Sequence, residues 1–202
     1  MPRASEFLQL APTLALWQVY DPAVKSDLFA TAAKTEAGFF LVDPISLEPS
    51  ALHTLIGSNQ VAGILVTNSN HLRAAEAFAE KFAAPVFAAP DVAGEFAPGV
   101  ARPISDAAKI GPGVSPIALP GAAPGETAFH FEDDGGTMVV GDALINFEPY
   151  GFTFLPAKYC TDEKEMRRSL RRLLDWPFQR LLFAHGTPIL SSARARLETL
   201  LR

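Results

Sequence analysis

Residues 67–71, Thr67-Asn68-Ser69-Asn70-His71, stand between an apolar run ending at Val66 and a helix-like pattern beginning at 71. Side chains of these types do one of two things at the carboxyl end of a buried strand. They cap the following helix, since Asn, Ser and Thr accept hydrogen bonds from its free N–H groups, or they gather groups for chemistry. Other strand ends deliver polar groups as well. Asp43 follows 38–42, Asp142 follows 137–140 and His185 follows 180–184. Of the four histidines, His71 and His185 fall at such ends, whereas His53 and His130 fall inside a helix and a strand and read as structural. Arg73, Asn68, Asn70 and a helix N-terminus at 71 would suit a small anion such as a carboxylate or phosphate. Ser69, His185 and Asp142 supply the residue types of a hydrolytic triad, but no nucleophile elbow accompanies them. The single cysteine, Cys160, permits no internal disulfide and reads as packing.

The elements that must position these groups come from a chain of 202 residues, 49% apolar and 19% charged, which is the balance of a globular domain rather than a disordered one. A net charge of -5 gives no electrostatic reason to bind nucleic acid. The basic cluster Arg167, Arg168, Arg171 and Arg172 follows Asp162, Glu163 and Glu165, the order that suits the dipole of a solvated helix. No apolar run reaches the ~18–20 residues of a membrane span, and the N-terminal stretch makes a poor signal peptide, with Glu6 and Pro12 in it. A cytoplasmic protein without nucleic-acid or membrane partners is the expectation.

Along the chain, 13–20, 28–33 and 38–42 read as strands, 46–56 as a helix, 61–66 as a strand, 71–82 as a helix and 85–88 as a strand. From 38 to 88 strands and helices alternate, which predicts parallel pairing with helices on a face. The segment 89–126 is rich in Pro, Gly and Ala and yields only a strand at 114–119. Residues 127–132 and 137–140 flank Asp133-Asp134-Gly135-Gly136, a hairpin signal. The stretch 143–159 is aromatic and irregular. A helix at 161–175, a strand at 180–184 and a helix at 191–201 complete one compact α/β domain over 1–202.

The ordered series of strand ends resembles the metallo-beta-lactamase superfamily. Leu41-Val42-Asp43-Pro44 matches its Leu-Ile-Asp-Pro-like end. Thr67-Asn68-Ser69-Asn70-His71-Leu72-Arg73 stands where the family has Thr-His-x-His-x-Asp-His. Pro120-Gly121-Ala122 stands for Pro-Gly-His, Gly141-Asp142-Ala143-Leu144 for Gly-Asp-x-Leu, and Ala184-His185-Gly186 for the final Gly-His-Gly-like end. The resemblance covers roughly residues 12–190. It implies a four-layer αββα sandwich (α/β, α+β class) with a site at the shared edge of two mixed sheets.

It also implies what has been lost. The family's metal ligands, usually for two zinc ions, align with Asn68, Asn70, Leu72, Arg73, Ala122, Asp142 and His185, and only Asp142 and His185 keep the family's residue type. A catalytic zinc needs three protein ligands and a water. Asn is a weak donor, Leu72 and Ala122 donate nothing, and Arg73 stays protonated and repels a cation. A dinuclear zinc site is therefore not expected, and at most one divalent metal would sit at Asp142 and His185, helped by His71 or an Asn oxygen. Arg73 is expected to pair with Asp142 and stand in for a lost ion. The functional expectation is a hydrolase-like protein with an eroded site, at most a one-metal hydrolase of esters, amides or thioesters. The alternative is a non-catalytic small-anion-binding or regulatory module. The aromatic stretch 147–154 could pack over the site or form a homo-oligomer contact.

Overall fold

Period-two alternation writes the layers of this protein into its strands. The computed structural model describes residues 2–202. Strands β1 (Leu8–Ala11), β2 (Leu14–Asp21), β3 (Ser26–Thr35) and β4 (Gly38–Val42) form an antiparallel meander. Helix α1 (Pro49–Ile56), β5 (Val61–Leu65), α2 (Ala75–Phe82), β6 (Val86–Ala88), α3 (Pro90–Ala93) and β7 (Ala101–Pro103) follow, and β4 to β7 pair in parallel. The seven strands make one sheet in chain order. Then come β8 (Val114–Ala118), β9 (Thr127–Phe131), β10 (Thr137–Val140), the hairpin β11 (Leu144–Phe147) and β12 (Gly151–Phe154), α4 (Glu163–Ser169), β13 (Arg180–Phe183) and α5 (Ala193–Leu200). The second sheet has four strands in the order β13-β10-β9-β8, with β10 and β13 parallel.

Alternate residues of one strand enter different cores. Phe39 and Leu41 of β4 join Trp17, Leu52, Ile64 and Phe78 beneath α1 and α2. Phe40 and Val42 face the other way, onto Phe129, Val139 and Leu182 of the second sheet. Met138 and Val140 of β10 then face Leu170, Leu173 and Leu197 of the second helical layer. Three apolar interfaces therefore separate four layers, αββα. Trp17, nearly inaccessible, satisfies its indole N–H on the Ile45 carbonyl at 2.8 Å.

Several expected elements differ. The helix expected over 46–56 begins at Pro49, because backbone bonds from Ala4 to Ser46 and from Glu48 to Ala4 hold residues 46–48 extended. The helix expected over 71–82 is interrupted. A single 3-10 turn, Ser69–His71, is capped by Asn68, whose Oδ1 accepts from Asn70 N at 2.9 Å. Arg73 then takes a left-handed conformation (φ 41), and α2 starts only at Ala75. The segment 89–126 contains α3 and β7, which were not expected, and the helix expected over 161–175 continues beyond Ser169 as a 3-10 turn, Leu170–Asp175. The stretch 143–159 contains an antiparallel hairpin rather than irregular chain.

Candidate metal and substrate site

Parallel pairing sets the site. Val42 lies opposite Leu65, so Asp43 and Thr67 leave adjacent strands side by side. Val140 lies opposite Phe183, which does the same for Asp142 and His185 in the second sheet. The sheets meet here through Phe29 N to Ala184 O at 3.0 Å and Thr127 N to Thr67 O at 2.7 Å.

Asp43 is buried and accepts from the Thr67 N–H at 2.9 Å and the Thr67 hydroxyl at 2.6 Å. His71 Nδ1 lies 2.8 Å from the same hydroxyl and 3.0 Å from Asp43 Oδ2. A hydroxyl has one proton. Thr67 spends it on Asp43, so His71 Nδ1 is the donor and the free face of the ring is Nε2. That atom is buried without a hydrogen-bond partner and lies 3.3 Å from Asp142 Oδ1. His185 Nδ1 is fixed as a donor separately. Its Nδ1 is 3.1 Å from the Asp27 carbonyl, which can only accept, and its Nε2 is 3.4 Å from Asp142 Oδ1.

The other oxygen of Asp142, Oδ2, accepts from the amides of Asn68 and Asn70, each at 3.2 Å. Asn68 also donates to Glu126 Oε2 at 2.7 Å, and Glu126 Oε1 accepts from Ala143 N at 3.1 Å. Glu126 was not among the residues expected from sequence. It follows Pro124-Gly125 and reads locally as a turn residue, and only the fold brings it to Asn68. Gly141 is required by close approach: a Cβ there would lie 2.6 Å from Thr67 Oγ1 and 2.8 Å from both Asn68 Nδ2 and Glu126 Oε1.

The expected pairing of Arg73 with Asp142 is not what the side chain makes. Arg73 turns inward, and Nη1 donates to the carbonyls of Phe29 at 2.6 Å and Asp43 at 3.1 Å. Its left-handed backbone aims it at the seam between β3 and β4, and His71 takes the place between the two carboxylates. The expected helix N-terminus at 71 is absent as well. Leu72 packs against the first core and Ala122 is enclosed in the second-sheet core, so neither enters the site.

Charge follows the geometry. Burial opposes a charge on His71, and Arg73 adds to that, yet Asp142 and Asp43 outweigh both and lift its pKa to about 9. Burial and the charge of His71 push His185 down to about 4. Burial would raise Asp142, but His71 holds it well below the usual carboxylate range. Glu126, buried and facing the charge of Asp142, is pushed up to about 8. The network thus keeps one carboxylate charged and its neighbour protonated.

His71, Asp142 and His185 fit a single metal ion. Their three ligand atoms lie within 4.8 Å of one another. Tetrahedral zinc with bonds of ~2.0–2.1 Å has ligand–ligand edges of about 3.4 Å, and the two edges to Asp142 Oδ1 measure 3.3 and 3.4 Å. Both imidazoles have Nδ1 committed to an acceptor, which leaves Nε2 as the ligating atom. Beside these three residues the amides of Asn68 and Asn70 are turned to carboxylates, and Arg73 brings a guanidinium to the Phe29 and Asp43 carbonyls.

The cluster floors a cleft of about 770 Å³, whose walls include Leu28, Ile145, Phe147 and Leu155. The hairpin β11–β12 forms one wall rather than a cover. Phe152 packs on Phe183 with centroids 5.8 Å apart, and Arg167 lies 4.1 Å over the ring of Phe154.

The family model described as the metallo-beta-lactamase superfamily matches residues 8–202, and the chain belongs to that superfamily. Among solved structures it is similar to the DIM-1 metallo-beta-lactamase (TM-score 0.73, 11% identity, 98% of each chain covered). It is also similar to a metallo-beta-lactamase from Pontibacter korlensis (TM-score 0.73, 15% identity, 97% of this chain and 98% of that one). A third is a metallo-beta-lactamase family protein from Thermus thermophilus (TM-score 0.66, 22% identity, 96% and 79%). At these identities the likeness shows the fold. No functionally curated protein matches the sequence. No helix among the described residues is long and apolar enough to cross a membrane.

Proposed function

We propose that this chain is a one-metal hydrolase of ester, amide or thioester bonds. The observation that supports the reading is the convergence of two imidazole Nε2 atoms, each with Nδ1 already engaged, on one oxygen of Asp142. His71, His185 and Asp142 would hold the ion. A divalent ion bound there supplies a Lewis acid and a water acidic enough to attack a carbonyl at neutral pH. Thr67 and Asp43 orient His71. Asn68 and Asn70 hold Asp142 Oδ2 and so aim Oδ1 inward. Apolar walls, including Leu28, Ile145 and Phe147, line the approach to the reacting carbonyl. Hydrolysis consumes one water, breaks the acyl C–O, C–N or C–S bond and releases a carboxylic acid with an alcohol, amine or thiol.

The test is the metal content of protein purified without chelator, beside His71→Ala and His185→Ala. One ion per chain is expected, lost in both variants. Failure to take up zinc or manganese on soaking would overturn the reading. A second reading, a small-anion-binding module, is favoured by one specific observation: Arg73 Nη2 is buried without a partner. It expects carboxylate or phosphate to raise the melting temperature, and Arg73→Ala to abolish the rise.

A further inference from the structure

The cleft sorts its lining by depth. At the floor stand the buried His71 and Asp142. At the mouth stand Val24, Tyr150 and Tyr159, which are 60%, 62% and 60% exposed. These are three of the six large hydrophobic side chains that the described chain leaves in water, and all three rim this one opening. Scattered exposed apolar residues are ordinary, whereas their concentration around a concave site marks a binding surface. Between floor and mouth the walls are aliphatic and aromatic, with Leu28 and Ile145 deeper than Phe147. Phe147 and Tyr150 stand edge to face at the tip of the hairpin with centroids 5.7 Å apart. Beyond the His71, Asp142, His185 and Arg73 group at the floor, the charged residues lining the cleft are one acid, Asp21, and one base, Lys158. They cancel, so the mouth offers no net charge to select a second ionic group on the ligand.

We infer that the substrate is amphipathic and single-headed: an ester or thioester of an apolar, medium-length acyl group. Its carbonyl lies on the floor and its chain runs outward past Phe147 to Tyr150, Tyr159 and Val24. The inference rests on the hydrolase reading for the chemistry at the carbonyl. Water adds to the acyl carbon, the C–O or C–S bond breaks, and the alcohol or thiol leaves with a proton. The recognition of the chain rests on the walls alone. A cleft of about 770 Å³ lies within the range that encloses a drug-sized ligand. Each methylene moved from water onto such walls tightens binding about fourfold, the equivalent of ~0.8 kcal/mol.

The experiment separates chain recognition from catalysis. Chelator-treated protein is titrated calorimetrically with straight-chain carboxylic acids of two to twelve carbons, and with the length-matched primary alcohols. The expected result is a stepwise gain of about fourfold per methylene over several carbons in at least one series. The double variant Tyr150→Ser, Tyr159→Ser, which alters only exposed side chains, should flatten the outer part of that slope. A flat response in both series overturns the inference, as does a short dicarboxylate binding more tightly than the monocarboxylate of equal length. Zinc-loaded protein is then assayed with p-nitrophenyl esters over the same lengths. Chain-dependent binding without turnover sinks the hydrolase reading and leaves the acyl cleft standing. Turnover indifferent to chain length does the reverse.

Discussion

Thr67 donates its one hydroxyl proton to Asp43 Oδ2 at 2.6 Å, and that bond makes His71 Nδ1 a donor and His71 Nε2 the free face of the ring. Replacing Thr67 by Val removes the hydroxyl that both partners use. The imidazole can then flip or change tautomer, and the carboxylate of Asp43 loses a buried bond. Loss of such an outer contact typically lowers metal affinity 10–100-fold, which competition against a chromophoric chelator would measure. Thr67→Ser keeps the hydroxyl and should retain most of the affinity. Equal losses in both variants would mean that the methyl, not the bond, carries the effect.

Gly141 admits no side chain. A methyl there would press on Thr67, Asn68 and Glu126 at 2.6–2.8 Å, all within one buried hydrogen-bond network. Gly141→Ala is expected to destabilise the fold by about 1–3 kcal/mol, read by urea unfolding, and to weaken metal binding as well. Stability unchanged within error would show that the network gives way freely.

Glu126 makes stability depend on pH. Its folded-state pKa, pushed to about 8 by burial and by Asp142, lies above the ordinary value of 4.5. A carboxyl shifted this way contributes fully below the unfolded pKa, and its contribution is lost as pH rises through the folded one. Chelator-treated protein should therefore lose stability between pH 5 and 8 from this group. Glu126→Gln stays neutral while keeping an acceptor for Ala143 N, so its advantage over the unaltered chain should grow across that window. An advantage that stays constant with pH would mean that Glu126 is charged throughout.

What could be read beforehand follows from which signals are local. Asp43, Asp142 and His185 were legible because each ends a run whose alternation or apolar continuity marks a strand, and parallel strands bring such ends together. The break at Arg73 was not. Leu72, Ala75, Phe78 and Phe82 keep helical spacing across it, and the left-handed residue is an arginine rather than the Gly or Asn that usually signals one. A helix unbroken through Arg73 would set His71 beside the ligand positions, and only the 3-10 turn rotates it between Asp43 and Asp142. Glu126 meets Asn68 across 58 residues, a contact that no pattern within either segment encodes. The β11–β12 hairpin escaped because it forms a small sheet of its own, joined beyond itself through the Asn146–Gly186 bridge, and β12 is half-buried throughout, so neither strand shows a clean apolar alternation.

Arg73 sets two effects against each other. Its guanidinium ties β3 to the end of β4 through the carbonyls of Phe29 and Asp43, while its charge lies close enough to depress the affinity of His71 for a proton. A divalent cation at His71 feels the same repulsion twice over. Arg73→Gln removes the charge and keeps a donor. It should cost about 1–3 kcal/mol of stability, the usual worth of a charged hydrogen bond, and raise zinc affinity by about tenfold or more. The two readouts move in opposite directions, and a variant that merely loosened the fold would lower both. If zinc binds Arg73→Gln more weakly than the unaltered chain, then the tie to the strands, and not the charge, governs the site.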